Sequence, residues 1–250
     1  KYIISIISFL AGICTTNAKE YVPKVRFESL RSDFLPSNEV RKLYQDSDGF
    51  IWIPTYNGLA RYDGYDVLSY GTKDVVEGTF NPFVNVVEED NCKNLWIGTE
   101  CGLFRLDKIT GNIIADEYPE LKDCNISAII ADDSGLWVGG DKGLYYKDNQ
   151  KNDFEWLPLS YTNGHKLQAV TSIVKDAHMN LWIASFGKEL LRYDVKKNIS
   201  YPYDHPILNN SHVLKFDSHE NLWVGTWGHG LICLKNPYSL EDMTYTQFTH

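Results

Sequence analysis

Positive charge is scarce in this chain: 24 lysines and arginines stand against 33 aspartates and glutamates, a formal charge of -9. No basic stripe occurs. A chain that wraps nucleic acid or lies on an anionic membrane by electrostatics is therefore excluded, and no nucleic-acid contact is expected. Ala, Leu, Glu and Lys do not dominate, and no window past residue 20 sustains a 3.6-residue apolar period. That excludes a helical bundle or coiled coil and leaves no helix expected there. Metal and catalytic signatures are missing as well. There is no Cys-x-x-Cys pair, no His-x-x-x-His helix and no Gly-x-Ser-x-Gly elbow. His165, His178, His205, His212, His219, His229 and His250 scatter over polar stretches and read as solvated surface. No cofactor is implied.

Long hydrophobic runs are also absent. The one apolar stretch, residues 2–14, is about thirteen residues long, short of the roughly 20 that span a bilayer. It follows Lys1 and leads to the small residues Thr16 and Ala18, the layout of a secretory signal peptide over residues 1–18 with cleavage after Ala18. An uncleaved anchor is the alternative, and Ile13 before Cys14 disfavours a lipoprotein. The missing initiator Met implies a sequence that starts one residue late. Cys92, Cys101, Cys124 and Cys233 then remain in an oxidising compartment, irregularly spaced. They read as isolated half-buried thiols, with a Cys92–Cys101 bridge unsupported.

What is present is a repeat. Trp52, Trp96, Trp137, Trp182 and Trp223 recur at an almost even spacing of just over forty residues. Each sits in one template. An apolar run (residues 40–44, 84–87, 126–130, 170–174 and 213–216) leads into a polar turn opened by Asp46, Asp90, Asp132, Asp176 or Asp217. The turn contains Gly49, Asn94, Gly135, Asn180 or Asn221, residue types that tolerate a positive backbone angle. The Trp-centred strand follows, then a small or special residue (Pro54, Gly98, Gly139, Ala184, Gly225), a loop, and a third strand starting at Leu59, Leu103, Leu144, Leu190 or Leu231. A less regular fourth strand closes each unit.

Short strands and tight turns at this period predict an all-β fold, a β-propeller with five four-stranded blades near residues 40–70, 84–118, 126–158, 170–203 and 213–250 of a domain covering 24–250. One sheet cannot bury both its faces, so the five tryptophans read as the structural core between stacked blades. Residues 25–30 look like an extra outer strand of the kind that completes the last blade of a closed ring. The blades therefore read as an incomplete ring from a longer propeller array.

Residues 35–65, LPSNEVRKLYQDSDGFIWIPTYNGLARYDGY, closely resemble the first repeat of the two-component regulator propeller family, the extracytoplasmic sensor region of hybrid two-component histidine kinases. The other four units are similar to the same repeat, so the resemblance covers roughly residues 24–250. It implies a periplasmic sensor whose propellers bind an oligosaccharide, a homodimer in the intact protein, and a membrane segment beyond residue 250 leading to a histidine kinase with phosphorelay and transcriptional output. Pro54, Ala184 and Ser185 depart from the repeat, and the third turn is one residue short. No phosphoacceptor His segment, ATP-binding Gly boxes or receiver Asp follow, so kinase activity is not expected of these residues.

Repeats can be compared with one another. The loop after each Trp strand varies within fixed surroundings: Tyr56-Asn57, Glu100-Cys101, Asp141-Lys142, residues 186–189, and Trp227-Gly228-His229. Aromatic faces beside Asp, Glu and Asn suit sugars, whose C–H surfaces stack on rings while their hydroxyls need donors and acceptors. The candidate ligand-binding residues are Tyr56, Asn57, Glu100, Asp141, Phe186, Trp227 and His229. The competing possibility is that Tyr56, Phe186 and Trp227 pack against adjacent blades. The turn aspartates read as caps for backbone amides, not paired acids. Asp46-Ser47-Asp48-Gly49 begins like a calcium loop but lacks the closing ligands. A secreted lyase or glycosidase would need two carboxylates converging on the funnel mouth, and an interaction scaffold would need a flat apolar face; neither signal is evident.

Overall fold

A computed structural model describes residues 35–249, apart from 72–74, 78–79, 81, 116–117, 162–163, 165, 168, 188–189 and 240–242. The expected signal peptide and the strand expected at 25–30 lie outside the described residues. The chain is all-β and forms five meandering antiparallel sheets in sequence order. The first blade is Tyr44–Gln45, Ile51–Thr55, Gly58–Tyr62 and Val67–Tyr70; the second is Val84–Glu89, Leu95–Thr99, Gly102–Leu106 and Ile113–Ala115. The third is Ile126–Asp132, Gly135–Gly140, Gly143–Asp148 and Glu155–Leu157. Val170–Lys175, Leu181–Ser185, Leu190–Asp194 and Ile199–Tyr203 build the fourth, and Ser211–Phe216, Leu222–Thr226, Gly230–Lys235 and Thr244–Phe248 the fifth.

One bond recurs in every blade. The indole Nε1–H of Trp52, Trp96, Trp182 and Trp223 donates to Oδ2 of Asp46, Asp90, Asp176 and Asp217 at 2.8, 2.8, 2.9 and 2.9 Å. In the third blade, whose turn is one residue short, Trp137 reaches Asp132 at 3.3 Å. The other carboxylate oxygen accepts backbone amides two and four residues on, as Asp90 Oδ1 does from Cys92 and Asn94. The aspartates therefore cap the turn, as expected, and also satisfy the buried indole. Asn94, Asn180 and Asn221 do not supply the positive backbone angle. That falls one residue earlier, at Lys93, Met179 and Glu220, in line with Gly49. The asparagine amides instead donate to the Asp carboxylates at 2.8–2.9 Å.

Four apolar clusters fill the four seams between consecutive blades. Trp52 packs with Val84, Val87, Leu95 and Ile97 of the second blade. Trp96 lies against Ile126, Ile129 and Val138, Trp137 against Val170, Ile173 and Ile183, and Trp182 against Leu214, Leu222 and Val224. The small residue after each Trp strand serves this approach. A Cβ on Gly98 would come within 2.6 Å of Ile126 Cγ2, and one on Gly139 within 2.5 Å of Val170 Cγ1. At Gly225 the nearest atom is Val213 Cβ, at 3.7 Å in its own blade, because no following sheet is among the described residues. Trp223 is correspondingly half-buried, whereas the other four indoles are buried. No ring closure between the fifth and first blades is found among the described residues.

Several expectations need correction. The inner strand of the first blade, expected over 40–44, shrinks to Tyr44–Gln45 with an isolated bridge from Val40 to Thr55. Pro54 stands opposite this stretch without an N–H to donate, so its carbonyl accepts from Arg41 while the ladder breaks. The second sheet has five strands, not four: Val75–Glu77, in the connection from the first blade, pairs parallel with Ile113–Ala115 and covers that outer edge. Two 3-10 turns, Pro119–Leu121 and Pro206–Leu208, occur where no helix was expected; each starts on a proline and drives Leu121 or Leu208 into a seam. The thiols are not uniformly half-buried either. Cys92 is free and exposed, while Cys124 and Cys233 are buried.

The seams predict graded stability effects. Trp182→Ala, which empties a seam and takes one donor from the Asp176 carboxylate, should cost about 3–5 kcal/mol. Trp223→Ala, facing no following sheet, should cost clearly less. Urea unfolding of the two variants beside the parent checks the order, and equal losses would contradict the seam assignment.

Candidate functional site at the axial cavity

Inner strands carry one polar residue at a common register, immediately after the first strand residue: Arg41, Asn85, Ser127, Thr171 and His212. In the fold these residues meet. Together with Lys42, Asn125, Ser172 and Val213 they line a cavity of about 410 Å³ to which all five blades contribute. Part of this polar set is occupied in holding the blades together. Asn85 Nδ2 donates to Ile126 O at 3.0 Å and Thr171 Oγ1 to Ser211 O at 3.3 Å, and Ser127 Oγ donates to Val170 O. Each of these is a side chain of one blade bonded to the inner strand of the next.

The variable loops gather at one end of this cavity. Backbone amides of Tyr56, Glu100, Asp141 and Trp227 donate to the carbonyls of Glu39, Phe83, Asn125 and Asn210, next to the strand residues that line it. The candidate residues separate into two kinds. Tyr56 packs edge-on against Phe83 of the second blade at 4.6 Å, while the Arg41 guanidinium lies 5.0 Å over its ring. Asp141 is used structurally, accepting Asn125 N–H at 2.9 Å and the Cys124 thiol at 3.3 Å. His229 donates its amide to Thr226 Oγ1 and Asn57 donates its amide to Thr55 Oγ1. Glu100 is half-buried beside Phe83. Phe186 and Trp227 remain open, at 55% and 69% exposure, edge to face at 6.4 Å, with His212 a further 6.4 Å from Trp227. Tyr56 thus packs against the second blade, while Phe186 and Trp227 touch each other across the fourth and fifth blades and still keep most of their surface open.

Electrostatics single out residues that sequence comparison missed. Lys42 of the first blade and Lys215 of the fifth act on Glu88 of the second. Lys42 reaches solvent through the cavity, yet protein surrounds it, and that desolvation lowers its pKa; the Glu88 carboxylate opposes the shift and Lys215 adds to it. Burial pushes the Glu88 carboxyl up to about 7, against the attraction of both lysines. Polar residues recurring at one inner-strand register were the available sequence signal for this lining. The meeting of Lys42, Lys215 and Glu88 had none, since their blades are distant in sequence.

A larger cavity, of about 560 Å³, lies between the first and second blades, lined by Asp48, Phe50, Arg61, Lys93, Arg105 and Lys108 among others. Its charged side chains are already engaged within the protein. Arg61 stacks on Phe50 at 4.4 Å, and Arg105 donates to Asn94 at 3.3 Å. Asp46, Asp48 and Glu89 converge like metal ligands, their oxygens within 4.8 Å of one another. The Lys108 ammonium fills that place, 3.0 Å from Asp46, 2.7 Å from Asp48 and bonded to Glu89. Burial pulls the Lys108 pKa down, but the three carboxylates outweigh it and hold the pKa well above its ordinary value, while Lys108 and Lys93 hold Asp48 at about 2.

The Glu88 shift carries a sign. Its pKa in the fold, about 7, exceeds the ordinary 4.5, so the native state binds more protons than the unfolded chain between those values. Stability from this residue is complete below the lower pKa and is lost as pH rises through the higher. Glu88→Gln lacks that loss. Its melting temperature relative to the parent should therefore climb between about pH 4.5 and 8, and a flat difference across the series would refute the shift.

Comparisons with known proteins agree with the fold. The family model for the two component regulator propeller matches residues 35–57. Among curated proteins none matches the chain. The extracellular domain of the B. thetaiotaomicron protein BT3049, described as a hybrid two component system, superposes with a TM-score of 0.73 at 22% identity, covering 88% of this chain. That of BT4673 from the same organism, also described as a hybrid two component system, gives 0.67 at 22% identity over 85%. The chain spans 31% of the length of each of these two domains. Virginiamycin B lyase from Staphylococcus aureus gives a TM-score of 0.67 at 17% identity, covering 86% of this chain and 72% of that one. Residues 35–57 match the two component regulator propeller repeat, and the fold around them is one that extracellular domains of two-component systems and a lyase share.

Proposed function

We propose that this chain is the ligand-sensing propeller of an extracytoplasmic two-component sensor, that its ligand is an oligosaccharide, and that the ligand docks at the mouth of the axial cavity. The supporting observation is the open pair Phe186 and Trp227 beside His212, at the end of a polar cavity lined from every blade. Exposed aromatic faces next to hydroxyl, amide and imidazole groups match the alternating apolar and hydroxyl surfaces of a sugar. Because the cavity is shared by all blades, a ligand bridging them favours one arrangement of the sheets over others. Differential affinity of that kind is what a sensor needs to shift a population and pass the shift to a kinase through a homodimer. Periplasmic placement behind a cleaved signal, attachment to a histidine kinase and a phosphorelay belong to the same proposal. Among the described residues no helix is long and apolar enough to cross a membrane.

The lyase reading finds less support. Among the described residues lining the axial cavity there is no carboxylate, which leaves a glycosidase's acid pair without a candidate in that lining. Calorimetry of the protein against an oligosaccharide panel should find a ligand whose affinity Trp227→Ala lowers about tenfold, the loss expected when a stacked ring is removed. Because Trp227 is exposed, its removal should leave the melting temperature unchanged. A saccharide bound equally well by the variant would displace the site from this mouth.

A further inference from the structure

Charge is distributed against the average here. The chain carries -9 overall, yet the charged residues described in the lining of its axial cavity are Arg41 and Lys42, with Lys215, two residues beyond the lining residue Val213, and Glu88 close enough to act on Lys42. The neutral polar residues of the lining are already bonded across blades, through Asn85, Ser127, Thr171 and the Ser172 hydroxyl that accepts Leu214 N–H. The cations are not used in this way. Arg41 lies over the Tyr56 ring, and neither Lys42 nor Lys215 forms an ion pair among the described residues. Lys175, on the fourth blade's inner strand, shows the contrast: its ammonium is paired with Asp132.

Lys42, largely surrounded by protein, and the exposed Lys215 repel each other without an ion pair, an arrangement unfavourable alone and favourable around an anion. From this arrangement, and resting on the oligosaccharide reading above, we propose that the ligand is an acidic saccharide whose carboxylate or sulfate seats between Lys42 and Lys215. Its neutral rings extend over Arg41 and Tyr56 on one side and Trp227 and Phe186 on the other. Glu88 sets the limit of this pocket. Its proximity to both lysines keeps the unliganded channel from carrying their full charge, and an anion entering from the mouth takes over that role. Uronates and sulfated sugars present the same anionic chemistry, so the probes must distinguish them.

Calorimetry on the full chain would use four probes: an oligogalacturonate, its fully methyl-esterified counterpart, a sulfated oligosaccharide and inorganic sulfate. The oligogalacturonate or the sulfated sugar should bind at least about tenfold more tightly than the neutral ester, with affinity that falls as salt rises. Lys42→Met and Lys215→Met, which keep the alkyl stems, should each remove most of the advantage of the acid over the ester. Circular dichroism melts of both variants confirm that they fold. If the ester binds as well as the acid, or if folded variants bind the acid like the parent, the anionic inference fails while the sugar reading stands. If inorganic sulfate binds in a Lys42- and Lys215-dependent way and no saccharide does, the anion site stands and the sugar reading fails. If none of the acidic probes binds, the proposal is overturned.

Discussion

Each blade is organised by one bond, from a tryptophan indole to the carboxylate of the turn that precedes it. An indole buried without an acceptor is costly, and a turn aspartate without donors is unstable against hydration. Joining them solves both problems, and the same carboxylate caps two or three backbone amides of the turn. In Asp46, Lys108 adds a further donor, and donors outweigh burial in holding that carboxyl below its ordinary range. Asp217, without an ammonium, is held well below by the Asn221 and Trp223 side chains. The bond fixes the position of the ring, and the ring then presents its face to the next sheet. Blade order in space follows from that, because every seam is built from one blade's tryptophan and the next blade's inner strands.

Seams explain why small residues recur after the tryptophan strand and why the last one behaves differently. Gly98 and Gly139 leave no room for a Cβ because an inner-strand side chain of the following blade occupies the space. Ala184 fits the same place in the fourth blade, fully buried beside Trp182. At Trp223 the local bond to Asp217 is intact but no following sheet covers the ring. Local and tertiary requirements of the repeat are therefore separable: the fifth blade meets the first without the second.

The axial cavity draws on residues that the seams leave over. Positions lining it are the same in every blade, and most have been recruited to bond the neighbouring strand. The charged residues described in that lining are Arg41 and Lys42 of the first blade, and the open aromatics Trp227 and Phe186 lie by His212 of the fifth. The broken inner strand of the first blade belongs to this picture. Pro54 interrupts the ladder beside Arg41 and Lys42, so these two side chains are carried on irregular backbone next to the cavity rather than within a regular ladder. Binding chemistry and scaffold thus occupy the same strands without sharing the same atoms.

By itself the sequence determined the all-β class, the five repeating sheets and the burial of four of the five tryptophans, since a strand and its turn are local and repeat at a fixed spacing. It also picked out the variable loops beside the cavity and kept both fates open for Tyr56, Phe186 and Trp227. Local pattern misplaced the positive backbone angle by one residue in three turns, because Asn94, Asn180 and Asn221 suit that role equally well until the carboxylate claims their amides. It missed the added strand Val75–Glu77, a short piece of connection that gains order only from the edge it covers. Only the tertiary structure decided that Lys108 fills the acidic trio and that Lys42 of the first blade and Lys215 of the fifth both act on Glu88 of the second. Electrostatic contacts act through space at distances of a few ångströms, while the blades that supply these residues are brought together solely by the stacking of the sheets between them.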